Sequence, residues 1–233
     1  FVFLTGVSKF SKVSLFSGLN NLRDITLDPH YSALCGYTEH DVDTVFAPEL
    51  PGLDREQIRR WYNGYNWGGT SVYNPFDVLL LFQNRQFQPY WFETGTPTFL
   101  VRLLTERGFH TPDLSRLHGS LTLLSSFDVD RIEPEALLFQ AGYLTLHGVT
   151  EPLPGQQVYT LGYPNREVEA SLNAALLYGH GVPERPSFDT RIRLVEVLRQ
   201  GDTAALRELF HAFFASIPND WYRNSPIARF EGY

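Results

Sequence analysis

The sequence predicts a mixed, mainly α chain that opens on the tail of an α/β sheet and continues as a helical region, a helix–hairpin–helix module and an αα-hairpin. Three observations carry this. Phe1-Val2-Phe3-Leu4 is an unbroken apolar run, the pattern of a strand buried on both faces. Helix-start signals recur after residue 31, at Thr38, Leu53-Asp54, Asn74-Pro75 and Thr96-Pro97. Two alternating segments, Tyr143–Leu146 and Gln157–Leu161, flank a Pro-Gly turn.

Each element follows in order. After the first strand, Thr5-Gly6-Val7-Ser8 carries a turn, and Asp24–Asp28 alternates polar and apolar residues as a half-buried strand until Pro29 stops it. Strand, crossover and strand mark the end of an α/β sheet. Thr38 with Asp41 forms a capping-box-like start, with Val42, Val45 and Phe46 on one face. Leu53-Asp54 opens a second helix whose Ile58, Trp61 and Tyr62 share a side. A turn rich in glycine and asparagine, Asn63–Gly69, follows. Asn74-Pro75 begins a third helix through Phe82, and Thr96-Pro97 a fourth through Leu104. Pro134–Ala141 is a helix stopped by Gly142, then come the two strands around Pro152–Gly155 and a helix from Arg166 to Tyr178. That succession outlines a winged-helix-like module. Gly181–Pro186 reads as a linker, and Arg191–Gln200 and Thr203–Ser216 as a helical hairpin joined by Gly201-Asp202.

Composition narrows the function. With 43 % hydrophobic and 15 % aromatic residues in 233, the chain can fill a packed core. A net charge of −7 argues against coating nucleic acid or an anionic membrane. No run of about 18 apolar residues is available to span a bilayer. One cysteine, Cys35, excludes an internal disulfide framework and a multi-cysteine zinc site, and it reads as a buried packing thiol rather than a nucleophile. A soluble, cytoplasmic protein is expected. Because the chain starts at Phe1 and lacks methionine, it reads as an internal piece of a longer protein.

Candidate chemistry is sparse. There is no G-x-x-x-x-G-K-[ST] loop, no G-x-G-x-x-G after a strand and no H-E-x-x-H. The seven histidines are scattered without ligand spacing. Asp128, Asp130, Glu133 and Glu135 precede a helix, where carboxylates suit its dipole. What remains is Thr5-Gly6-Val7-Ser8-Lys9, at the carboxyl end of the first strand. Such a loop is either a ligand contact of the kind α/β sheets place there or an ordinary strand-to-helix turn.

Several motifs in fixed order then carry a resemblance. Thr5–Ser11, Leu15–Leu22, Asp24–Asp28, Trp61–Tyr65, Val72–Phe76, Tyr90–Pro97, Leu138–Leu144, Leu161–Asn165 and Phe213–Pro218 resemble the bacterial AAA-ATPase-like proteins that carry a PD-(D/E)XK nuclease-like domain at their carboxyl end. The resemblance covers nearly the whole chain. It implies a P-loop ATPase whose phosphate loop and magnesium-binding strand lie upstream of Phe1, with ATP and Mg as cofactors of the longer protein. Residues 1–30 would close the ATPase core, 31–112 form the helical lid, 113–182 the winged-helix-like module, 183–218 a helical hairpin linker, and 219–233 the start of the nuclease-like domain. Thr5 and Ser8 would be sensor residues. Lys9, Tyr73 and Asn74 would face the nucleotide, unless Trp61, Tyr65, Trp67 and Tyr73 merely form an aromatic core that orients the helices. Partners in cis would be the ATPase core and the nuclease-like domain, with nucleic acid a possible partner of the longer protein and no membrane. The competing class is a non-catalytic winged-helix module that contacts DNA or a protein. Arg166 stands beside Glu167 and Glu169, so the last helix of that module lacks the basic surface of a DNA reader.

Overall fold

The computed structural model describes residues 23–94, 98–107, 114, 116–121, 124, 133–179 and 184–215. Thr5, Ser8 and Lys9, with the whole Phe1–Leu22 segment and residues 216–233, lie outside them. Two compact units divide the chain, Phe1–His180 and Gly181–Tyr233. The described residues are mixed, mainly α, with two small antiparallel sheets.

In the first unit, α1 (Glu39–Thr44) begins with a full capping box. Asp41 N–H donates to Thr38 Oγ1 at 3.2 Å, and Thr38 N–H donates back to Asp41 Oδ2 at 2.7 Å. The next helix, α2 (Arg55–Tyr62), is capped by Asp54, which accepts from the N–H groups of Glu56 and Gln57. Then β1 (Asn63–Tyr65) pairs antiparallel with β2 (Val72–Tyr73), so the glycine-rich turn forms a hairpin. Asn74 caps α3 (Pro75–Asn84), with proline at the first helical position, where its missing N–H costs nothing. A short α4 (Tyr90–Glu93) and α5 (Thr98–Glu106) complete the helical region.

Next, β3 (Leu117–Gly119), α6 (Pro134–Gln140), β4 (Thr145–Leu153), β5 (Gln156–Gly162) and α7 (Arg166–Gly179) follow. The three strands lie in the order β3-β5-β4, all antiparallel. Gly142 ends α6 with φ +82°, and Gly155 turns the hairpin with φ +77°, conformations that a side chain would strain. The second unit is an αα-hairpin of α8 (Glu184–Gln200) and α9 (Thr203–Ala215), turned at Gly201 and capped by Asp202.

Two cores form in the first unit. One joins Val42, Ile58, Tyr62, Tyr73, Val78 and Leu81 beneath α1–α3; the other joins Leu104, Leu138, Leu144, Leu161 and Leu172 between the sheet, α5, α6 and α7. Each such leucine contributes about 1.5–3 kcal/mol on burial. Tyr65, Val72 and Val168 make a third cluster, and Trp67, Trp91, Tyr143 and Tyr163 pack on both it and the larger core. The helical region and the sheet module are thereby continuous.

Three expectations change, and two elements were not expected. Asp24–Asp28 is a turn, because Asp24 Oδ1 accepts from Thr26 N–H and hydroxyl and Asp28 N–H donates to Ile25 O; polar side chains that bond their own backbone end a strand. Cys35 is exposed, since in the turn after Pro29–Tyr31 it is Ser32 that points inward and accepts from Thr70 N–H. The last hairpin's first helix starts at Glu184, within the expected linker, because proline is tolerated in a first turn. Finally, β3 and α4 had no clear pattern of their own in the sequence.

Candidate functional site

The motif segments converge on one buried polar joint. Tyr65 ends β1, Asp77 lies in the first turn of α3, Trp91 and Phe92 lie in α4, and Asn165 and Glu167 open α7. Asp77 and Glu167 are fully buried. Asp77 Oδ1 accepts from Trp91 N–H at 2.8 Å, and Glu167 Oε1 accepts from Phe92 N–H at 3.0 Å. Asn165 Oδ1 accepts from Val168 N–H at 3.1 Å, which caps α7. Four buried polar atoms at this joint have no hydrogen-bond partner among the described residues: Tyr65 Oη, Asp77 Oδ2, Asn165 Nδ2 and Glu167 Oε2. Unsatisfied buried polar groups are rare in folded proteins and concentrate where a structure does something besides pack.

Electrostatics agree with the geometry. Burial, and then the neighbouring Glu167, push the Asp77 carboxyl well above the usual carboxylate range. Burial raises Glu167 as well, and it raises the Tyr65 hydroxyl, which both acids raise further. The joint is reached by close backbone approach. At Gly64, φ is +126°, and an added Cβ would lie 1.8 Å from Pro164 O. Beside it, Asn66 N–H donates to Thr145 Oγ1 at 2.6 Å, and Leu146 N–H donates to Asn66 O, tying the β1–β2 turn to β4. A joint of this kind can hold or release a proton, and it can transmit motion between the helices it fastens. Among the described residues no cluster of histidine, cysteine, aspartate and glutamate could hold a metal ion.

Of the sensor and nucleotide-facing residues expected from the sequence, Tyr73 and Asn74 are described. Tyr73 is buried; its ring lies under the Arg55 guanidinium at 5.4 Å, and its hydroxyl accepts from Arg55 at 2.5 Å and donates to Glu39 at 3.0 Å. Arg55 also binds Asp43 and Glu39, and Asn63 donates to Glu39. This network fastens α1 to α2 and the β1–β2 hairpin. Asn74 Oδ1 accepts from Phe76 N–H at 3.0 Å as the cap of α3. Sequence reasoning missed Asp77 and Glu167, because an acid in a helix's first turn already has an ordinary explanation in the dipole. The available signal was position. Asp77 directly follows the Val72–Phe76 motif, and Glu167 stands two residues past Leu161–Asn165.

No helix among the described residues is long and apolar enough to cross a membrane. No family model matches the chain, and no solved structure matches it. The chain is 64 % identical over 234 residues to the uncharacterized protein in the vnfD 5' region of Azotobacter chroococcum mcd 1. The match covers 100 % of this chain and 45 % of that protein, so the chain spans less than half of its relative's length.

Proposed function

We propose that the chain is the sensor, lid and winged-helix part of an AAA-like P-loop ATPase, a cytoplasmic nucleotide-driven switch coupled in the longer protein to a PD-(D/E)XK nuclease-like domain. The carrying observation is the convergence of Trp61–Tyr65, Val72–Phe76, Tyr90–Glu93, Leu138–Leu144 and Leu161–Asn165 on one joint. A lid fastened to its sheet module through buried polar contacts can move with it as a lever. ATP and Mg would be held by residues outside this chain. Thr5 and Ser8 would read the γ-phosphate or the attacking water and Lys9 would face the nucleotide, while Tyr73 and Asn74 would hold the helices of the lid in place.

The antiparallel order β3-β5-β4, with α5 and α6 before the β4–β5 hairpin, favours the winged-helix reading. A DNA-reading use gains less. Five of the seven α6 residues are buried. Arg166 is spent over the Trp61 ring at 5.5 Å, and the hairpin turn is capped by Glu151, which accepts from Gly155 N–H.

Residues 1–233 alone should show no magnesium-dependent ATP turnover above blank, because their sequence holds no phosphate loop to cradle the transferring phosphoryl group. In the longer protein, Ser8→Ala or Thr5→Val should slow hydrolysis more than it weakens ATP binding. Turnover by residues 1–233, or unchanged turnover with equally weakened binding in the variants, would overturn the proposal.

A further inference from the structure

A four-residue helix needs its first N–H groups satisfied, and Pro89 ahead of α4 supplies no side-chain cap. Two acids from two other helices do this instead. Asp77 of α3 takes Trp91 N–H, and Glu167 of α7 takes Phe92 N–H. Each acid keeps one buried oxygen with no donor among the described residues, and the two carboxyls sit on consecutive N–H groups of one helix, close enough for Glu167 to oppose ionisation of Asp77. Ionised carboxylates only accept, so two of them meet only with a proton between them. A cation in the proton's place fits poorly, since Asn165 Nδ2, buried at the same joint, can only donate.

Among the described residues, the groups around the pair supply no counter-charge. Tyr62 from α2, Tyr65 from β1 and Glu93 from α4 act on it, and each is neutral or acidic. On α7, Arg166 is engaged with Trp61.

We propose that Asp77 and Glu167 hold one proton between them as a clamp that fastens α4 to α3 and α7, so that lifting α4 off the joint releases the proton. This goes beyond the nucleotide switch and does not depend on it. The sign is fixed by burial: the folded state keeps a proton that the unfolded chain loses above about pH 4. The clamp therefore strengthens folding most at or below that pH. Its contribution falls about tenfold per pH unit in the folding constant until the folded carboxyl itself titrates.

Denaturant unfolding between pH 5 and 8 of the wild type, Asp77→Asn, Glu167→Gln and the double variant tests this. Either single amide can donate to the remaining carboxylate in place of the proton. Each single variant should therefore gain on the wild type by about tenfold per pH unit. The double variant sets two amide donors face to face and should fall below either single by about tenfold or more. Exchange of the Trp91 and Phe92 amides reads the clamp itself, and should lose protection with pH faster in the wild type than in either single variant. Parallel pH profiles for the wild type and both singles would overturn the clamp. So would a double variant equal to the sum of its singles, or failure of both singles to fold.

Discussion

Replacing Gly64 by alanine is the sharpest steric probe of the joint. The backbone there has φ +126°, a region open essentially to glycine, and an L side chain pays about 1–3 kcal/mol to enter it. Space is the larger problem. The new Cβ would lie 1.8 Å from Pro164 O and 2.8 Å from Pro164 C, and both are backbone atoms that no rotamer change can move. β1 and the Pro164 turn would have to part by more than an ångström, drawing Tyr65 away from Asn165. Together these effects should cost about 3–5 kcal/mol. Two companions separate the causes. Gly155→Ala has φ +77° but meets nothing within 4 Å, so it should lose about 1–2 kcal/mol from backbone strain alone. Gly148→Ala has neither problem and should stay within about 0.5 kcal/mol of the wild type. Urea unfolding followed by tryptophan fluorescence measures all three. A Gly64→Ala cost no larger than that of Gly155→Ala would refute the close approach of β1 to the Pro164 turn.

The α1 cap offers a second variant, Thr38→Ala, which removes the acceptor for Asp41 N–H and should cost about 1 kcal/mol by the same unfolding assay. Acid should weaken the same box. The Thr38 backbone N–H and hydroxyl hold the Asp41 carboxyl below its usual range, so its contribution is present above the unfolded value and lost as pH falls through the folded one. Exchange at the α1 amides should speed up there in the wild type relative to the rest of the first unit, a sign opposite to that of the buried acid pair, and a flat profile would count against it.

Local signals were legible where a side chain acts on its own neighbours. Thr38 with Asp41, Asp54, Asn74-Pro75 and Gly142 bound their helices as their chemistry requires, and Pro154-Gly155 marks its hairpin. The alternation of Asp24–Asp28 misled because a period of two cannot distinguish a ladder from aspartates that bond their own turn. β3 is three residues long and exists through its pairing with β5, a partner about forty residues away. The joint was hidden for a related reason. Asp77 and Glu167 each satisfy a local rule at a helix start, and only the fold turns them toward neighbouring N–H groups of α4, Trp91 for one and Phe92 for the other. The sequence announced the segments that meet there without announcing that they meet.

Native-state hydrogen exchange tests the central claim, that the helical region and the sheet module are one body fastened at the joint. Amides of α2 and α3 should share their slowest opening free energy with those of β5 and α7, and Glu167→Ala, which strips the acceptor from Phe92 N–H, should lower both sets together. Two separate opening energies, with Glu167→Ala lowering only the α7 set, would contradict it.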